Sequence, residues 1–116
     1  MDNLPNWYWK KGLHDAIIKK ISFQTLDYDY TETNPIRNYI LLEIDSRNAL
    51  FDTKVKSIRF YNAKIVSDSD ISGYWWVNDE LIYNSNRYIL TIYARSKRAS
   101  VTTKISFDSA DVFREL

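Results

Sequence analysis

Hydrophobic and polar residues alternate with a period of two along much of the chain, a pattern typical of strands with one buried face. The alternation is clearest over residues 36–45, 88–95 and 101–108. A further window at residues 58–66 changes phase near Tyr61 and Asn62. Because one extra residue in a strand shifts this phase, the break predicts a β-bulge.

Two segments leave alternatives open. Residues 16–30 fit either a short helical face, through Ile17, Ile18 and Ile21, or an extended strand. We interpret them as a long first strand, with a helical turn near His14 as the alternative. The tail, residues 108–116, fits either a last strand or a short helix.

Turns are predicted where Asn, Asp, Ser and Pro cluster, because these residues tolerate turn geometry and satisfy their own backbone. The predicted turns are residues 31–35, 46–48, 67–70, 78–79, 84–86 and 96–99. Short turns between sequential strands predict six to eight antiparallel strands in a meander. The expected fold class is all-β, a sandwich or a strongly bent sheet or half-barrel, with at most one or two short helical turns.

Composition supports one β-rich domain over residues 1–116. Val, Ile, Thr and the aromatic residues, which favour a pleated surface, make up 43 of the 116 residues. The two glycines and two prolines are isolated, so no linker or repeat divides the chain.

Charge and residue inventory exclude several function classes. Lys and Arg number 16 against 15 Asp and Glu, for a net charge of +1, so we expect no nucleic acid partner held by bulk charge. The absence of cysteine excludes disulfides, thiolate metal sites and a Cys nucleophile. Neither a glycine-rich phosphate loop nor a G-x-S-x-G elbow occurs. We therefore expect no cofactor, no metal and no enzymatic activity.

The N-terminal residues and the lengths of the apolar runs indicate the expected cellular location of the protein. The first residues lack the basic start and apolar run of a secretory signal. The longest apolar runs fall far short of the roughly 20 residues that cross a bilayer. A cytoplasmic protein without a membrane partner is the expectation.

His14, the one histidine, precedes Asp15. A histidine beside a carboxylate is a candidate general acid–base, but it equally caps or crosses the start of a strand. A second hypothesis pairs His14 with Asp79 or Glu80, if those two parts of the chain are neighbours.

Two aromatic clusters, Trp7-Tyr8-Trp9 and Tyr74-Trp75-Trp76, are the most distinctive feature. Adjacent residues on a strand point to opposite faces, so one of Trp75 and Trp76 should be buried. The other is either an exposed anchor for a protein or a sugar, or covered by the segment around Trp7.

Two stretches resemble a family of small bacterial proteins of uncharacterised function. Residues 7–16, Trp-Tyr-Trp-Lys-Lys-Gly-Leu-His-Asp-Ala, are similar to their W…HDA opening, and residues 71–80, Ile-Ser-Gly-Tyr-Trp-Trp-Val-Asn-Asp-Glu, to their later G-x-W-W-L-x-D-E segment. Val77 replaces the more usual Leu. Residues 58–65 are similar to a strand of that family between the two motifs.

The resemblance implies a β-rich fold broadly similar to immunity proteins of bacterial polymorphic toxin systems. Such proteins bind a toxin and block its active site or an exosite. We expect a non-enzymatic interaction domain, monomeric or homodimeric, whose partner is another protein, with a carbohydrate- or small-ligand-binding module as the alternative. A small hydrolase using His14 ranks third. The candidate interaction residues are Trp7, Trp9, His14, Asp15, Trp75, Trp76, Asp79 and Glu80.

Overall fold

Eight antiparallel strands form the part of the chain that the structure describes. The computed structural model describes residues 5–9, 12–26, 37–47, 49, 54–66 and 71–114. In chain order the strands are β1 (Ile17–Leu26), β2 (Arg37–Asp45), β3 (Val55–Tyr61), β4 (Lys64–Ile65), β5 (Trp75–Asn84), β6 (Arg87–Arg95), β7 (Ser100–Phe107) and β8 (Ser109–Arg114). No helix occurs in the residues described. The prediction of an all-β fold is confirmed.

The strands form one bent sheet in the order β4-β7-β6-β5-β1-β2-β3-β8. Two meanders, β1–β2–β3 and β5–β6–β7, supply its two halves, as the short predicted turns require. Within the described residues no ladder joins β4 to β8, so the sheet does not close into a barrel. Of the predicted closures, the bent sheet is the one observed.

A narrow seam between β1 and β5 joins the halves. Ile17 and Trp75 form its register pair. Around them, the Ile18 amide donates to the Tyr74 carbonyl at 2.9 Å, and the Trp76 amide donates to the Ala16 carbonyl at 2.8 Å. The seam therefore places the two family-like motifs side by side.

A corner brings the far ends of the sheet together. β3 runs on into β4 past Asn62, whose φ is 50°, and β7 runs on into β8 past Asp108. The Asp108 amide donates to the Tyr61 carbonyl at 3.0 Å, and the Arg87 guanidinium donates to the Asp108 carboxylate at 2.7 Å. The phase break near Tyr61 is thus a left-handed turn between two strands rather than a bulge inside one.

The core takes side chains from both halves of the sheet. Inward-facing positions alternate along β2, β3, β6 and β7, as the period-two pattern predicts. The largest fully buried side chains are Trp76, Phe60, Phe107, Leu13, Ile18, Ile40, Leu42, Ile58, Ile71, Leu90, Ile92 and Ile105. Each such side chain contributes roughly 1.5–3 kcal/mol of burial free energy.

The open alternatives are resolved in favour of extended structure. The tail forms strand β8, and residues 12–15 form turns rather than a helix. The turn predicted at residues 78–79 is wrong: both lie within β5, and the register shift there comes from a bulge at Val77. The turns predicted at residues 31–35 and 67–70 lie outside the described residues. Among the residues described, no helix is long and apolar enough to cross a membrane.

Candidate functional site

A buried carboxylate, Asp79, organises the inner side of the candidate site. Its side chain is only 1% exposed. The Trp9 indole Nε1 donates to Asp79 Oδ2 at 2.9 Å, and the Trp76 indole Nε1 donates to the same oxygen at 2.8 Å. The Tyr8 hydroxyl donates to Oδ1. Three neutral donors thus offset part of the cost of burying this group.

The buried site around Asp79 changes the pKa of the Tyr8 hydroxyl. Burial, together with the hydrogen bond to Asp79 and the nearby negative charge, raises the pKa of the Tyr8 hydroxyl well above its ordinary value near 10. The hydroxyl therefore stays protonated and remains a donor to the carboxylate at physiological pH. This arrangement is structural, because Asp79 has almost no contact with solvent through which a substrate would reach it.

Aromatic packing fixes the N-terminal segment beneath β5. The Trp9 ring meets the Trp76 ring edge-on, with centroids 5.5 Å apart. Trp7 lies against Tyr88 and Phe107, with centroid distances of 5.6 and 5.8 Å. Such edge-to-face and tilted contacts add to the free energy of burial. The segment packs on the Trp76 side of the strand, and Trp75 stays uncovered by it.

The outer face of β5 and β6 carries two exposed aromatic side chains, Trp75 and Tyr93. Trp75 is 43% exposed and Tyr93 37%, whereas Trp76 is fully buried. The prediction that adjacent tryptophans lie on opposite faces is confirmed. Trp75 is paired with Arg95 across the ladder, and Tyr93 lies two residues before Arg95 on that same face.

Glu80 completes this surface. It is exposed, and its Oε1 lies 3.5 Å from the Tyr93 hydroxyl. We call the group Trp75, Glu80, Tyr93 and Arg95 the Trp75 face. It combines aromatic area with one basic and one acidic group.

His14 and Asp15 lie at the seam. The Asp15 amide donates to the Trp76 carbonyl at 2.8 Å, so the two motifs are neighbours, as the second histidine hypothesis requires. The carboxylate beside the imidazole, however, belongs to Asp15, with Oδ2 at 3.3 Å from Nδ1. Nδ1 makes no hydrogen bond to any described residue. Asp79 is instead held by Tyr8, Trp9 and Trp76.

Five of the eight candidate residues therefore separate into two groups, while His14 and Asp15 lie at the seam and Trp7 packs against Tyr88 and Phe107. Trp9, Trp76 and Asp79 are buried and support the strand from within. Trp75 and Glu80 are exposed on the outer face. Within the described ranges, no three His, Cys, Asp or Glu side chains cluster in a way that would hold a metal ion.

Sequence reasoning missed Tyr93 and the role of Tyr8. The strand prediction placed Tyr93 correctly on the face of Arg95, but its alignment with Trp75 depends on the Val77 bulge. Val77 gives no local sign of a bulge, since neither glycine nor proline accompanies it. The alternation of residues 88–95 was the available signal for Tyr93.

No protein-family model, curated protein or solved structure matches the chain.

Proposed function

We propose that the chain is a non-enzymatic interaction domain that binds another protein through the Trp75 face. One observation carries the proposal: Trp75 is 43% exposed, while the adjacent Trp76 is buried and bonded to Asp79. A large apolar side chain is thus held at the surface by a strand that is anchored from its inner side.

The composition of the Trp75 face fits a binding hot spot. Trp, Tyr and Arg are the residues most enriched among side chains that dominate interface energetics. A rigid strand also limits the conformational entropy lost on binding. Glu80 and Arg95 at the margin supply polar groups that orient a partner.

The partner class follows from the sequence resemblance. Similarity to immunity proteins supports a toxin as the partner, with the Trp75 face covering an active site or an exosite. We propose a cytoplasmic location together with that role.

A carbohydrate ligand is the second candidate. The exposed Trp75 ring is paired with Arg95, and Glu80 lies further along the same face, an arrangement that resembles the stacking platform and polar groups that a sugar requires. Sites for small ligands are mostly concave, however, whereas Trp75 lies on the face of a sheet. This difference favours a protein partner.

The test is photo-crosslinking from a defined position. A photoreactive residue replaces Ser100, which is exposed and paired with Arg95 on the same face. The parent is compared with Trp75→Ala and with Phe23→Ala, which removes an exposed aromatic from β1. We expect a stoichiometric adduct with one protein in the parent and Phe23→Ala, and its loss in Trp75→Ala.

Two results would count against binding of a protein through the Trp75 face. The first is an adduct of equal yield in Trp75→Ala. The second is the absence of any stoichiometric adduct together with quenching of tryptophan fluorescence by soluble oligosaccharides, abolished in Trp75→Ala. The second result selects the carbohydrate alternative.

A further inference from the structure

A second surface lies on the other half of the sheet, across the β1–β5 seam from the Trp75 face. It is a concavity of about 690 Å³ over the outer side of β1, β2, β3 and β8. The side chains that matter most to its chemistry are Lys19, Glu43, Arg47, Lys56, Arg59 and Phe113. Its volume lies within the range of sites for small molecules.

Two bulges place lysines in this concavity. The register of β1 with β2 shifts between Ile18 and Lys20, which leaves Lys19 as the extra residue. The register of β3 with β8 shifts between Val55 and Ser57, which leaves Lys56 as the extra residue. Bulges re-aim side chains and are over-represented beside functional sites.

Arg59 is held between two aromatic rings. Its guanidinium carbon lies 5.0 Å from the centroid of Tyr39 and 5.2 Å from that of Phe113. Cation–π contacts of this kind restrict the guanidinium, whose planar fork suits oxyanions. Arg59 is therefore preorganised for an anionic group.

The charge of the concavity is unbalanced. Arg47 is paired with Asp45, since its Nε and terminal nitrogen donate at 2.9 and 2.7 Å. This bonding lowers the pKa of Asp45 to about 2, so the carboxylate stays ionised and neutralises Arg47. Lys19, Lys56 and Arg59 remain, with Glu43 in the same lining and Asp111 paired with Arg59 across the β3–β8 ladder. No described carboxylate lies within 4 Å of the charged nitrogens of these three cations.

We propose that this concavity binds a small phosphate monoester, with the phosphate near Lys19, Lys56 and Arg59 and an apolar or aromatic group against Phe113. The three cations supply charge-assisted hydrogen bonds to the oxyanion. Glu43 repels a second anionic group, which favours one phosphate over a polyphosphate. The near-neutral charge of the whole chain, +1, disfavours a polymeric nucleic acid as the natural occupant.

The test is a titration of the full chain with phenyl phosphate, followed by backbone and arginine side-chain NMR shifts. Inorganic phosphate and benzyl alcohol separate the anionic from the aromatic contribution. We expect saturable shifts at the lining residues with phenyl phosphate, weaker binding of inorganic phosphate, and no saturation with benzyl alcohol.

Four variants assign the site. Arg59→Gln should weaken phenyl phosphate binding about tenfold or more, since it removes a charge-assisted contact. Arg59→Lys keeps the charge without the planar fork, so its affinity for phenyl phosphate should lie between those of Arg59→Gln and the parent. Lys56→Gln should weaken binding severalfold. Lys97→Gln removes the same charge from the exposed β6–β7 hairpin and should leave binding unchanged.

The proposal is overturned by any of three results. These are the absence of saturable shifts in the parent, equal weakening by Lys97→Gln and Lys56→Gln, and a single-stranded RNA oligonucleotide that displaces phenyl phosphate from the lining residues and binds them more tightly. Trp75→Ala should bind phenyl phosphate like the parent. This variant keeps the present proposal separable from the protein-binding function.

Discussion

The indole nitrogen of Trp9 lies 2.9 Å from the Asp79 carboxylate, although 70 residues separate them along the chain. With Tyr8 and Trp76, this contact ties the N-terminal segment to the inner side of β5. Trp75, on the opposite side of the same strand, is therefore presented by a backbone that is anchored from within.

Asp79→Leu should be among the most destabilising substitutions in the protein. Leucine leaves two indole N–H groups and the Tyr8 hydroxyl without this acceptor in a buried site, at a cost of about 3–5 kcal/mol. Asp79→Asn should cost less, about 1–2 kcal/mol, because its amide oxygen accepts from both indoles while its NH₂ group donates to Tyr8. Urea unfolding measures both.

Asp111→Leu is the matched control for this series. Asp111 also accepts a tyrosine hydroxyl, from Tyr61 at 2.9 Å, but at an exposed position. Its replacement should cost less than about 1 kcal/mol. Equal losses for Asp79→Leu and Asp111→Leu would contradict the role given to burial.

Trp75 and Trp76 should respond differently to truncation. Trp76→Ala removes a fully buried ring and one donor to Asp79, so we expect a loss of about 3–5 kcal/mol in the free energy of unfolding. Trp75→Ala should cost about 1 kcal/mol or less. Thermal unfolding followed by circular dichroism distinguishes them, and similar losses would refute the assignment of faces.

The strands were largely predictable from the sequence, because a period-two pattern states which side chains face the core. The opposite orientation of Trp75 and Trp76 follows from the same rule. The prediction of a turn at residues 78–79 was wrong because it rested only on the local preference of Asn and Asp for turns. Asp79 instead gains its hydrogen bonds from Trp9 and Tyr8, which are distant in sequence and invisible to a local pattern.

Tyr8 should make the protein sensitive to alkali. Burial and the bond to Asp79 raise the folded-state pKa of Tyr8 above the ordinary value near 10. As the pH rises past 10, the unfolded chain releases this proton before the folded protein does. The contribution of Tyr8 to the free energy of unfolding is therefore complete below pH 10 and is lost above it. The decrease in the free energy of unfolding approaches about 1.4 kcal/mol per pH unit.

Tyr8→Phe isolates that contribution. Phenylalanine has no hydroxyl proton, so the free-energy difference between parent and variant should shrink between pH 9 and pH 11.5. Urea unfolding across this range measures it. A constant difference would show that the Tyr8 hydroxyl does not couple to folding.

The β5–β6 hairpin offers a stabilising change. Ser85 and Asn86 form its turn with φ values of 53° and 66°, a left-handed geometry that Asn-Gly adopts more readily. Ser85→Asn combined with Asn86→Gly should raise the free energy of unfolding by about 0.5–1 kcal/mol. Lys97→Gly is the control, because Lys97 in the β6–β7 hairpin has no positive φ. It should not stabilise the protein, and a gain as large as that at the first hairpin would contradict the explanation.

The candidate sites were less predictable than the strands. The sequence singled out Trp75 and Glu80, and the alternation of residues 88–95 placed Tyr93 beside Arg95. The concavity near Arg59 was not predictable, because it depends on bulges that expose Lys19 and Lys56. A bulge is set by the balance of hydrogen bonding on both neighbouring strands, and neither lysine carries that information locally.

The link between Trp9 and Asp79 also sets an order of events during synthesis. Trp9 leaves the ribosome first, and Asp79 follows 70 residues later, which is about 4–14 s at ordinary elongation rates. Through that interval the tryptophan-rich segment lacks its Asp79 partner and remains available to chaperones. Docking of this segment on the nascent chain is therefore delayed until β5, the strand that carries Asp79, has emerged.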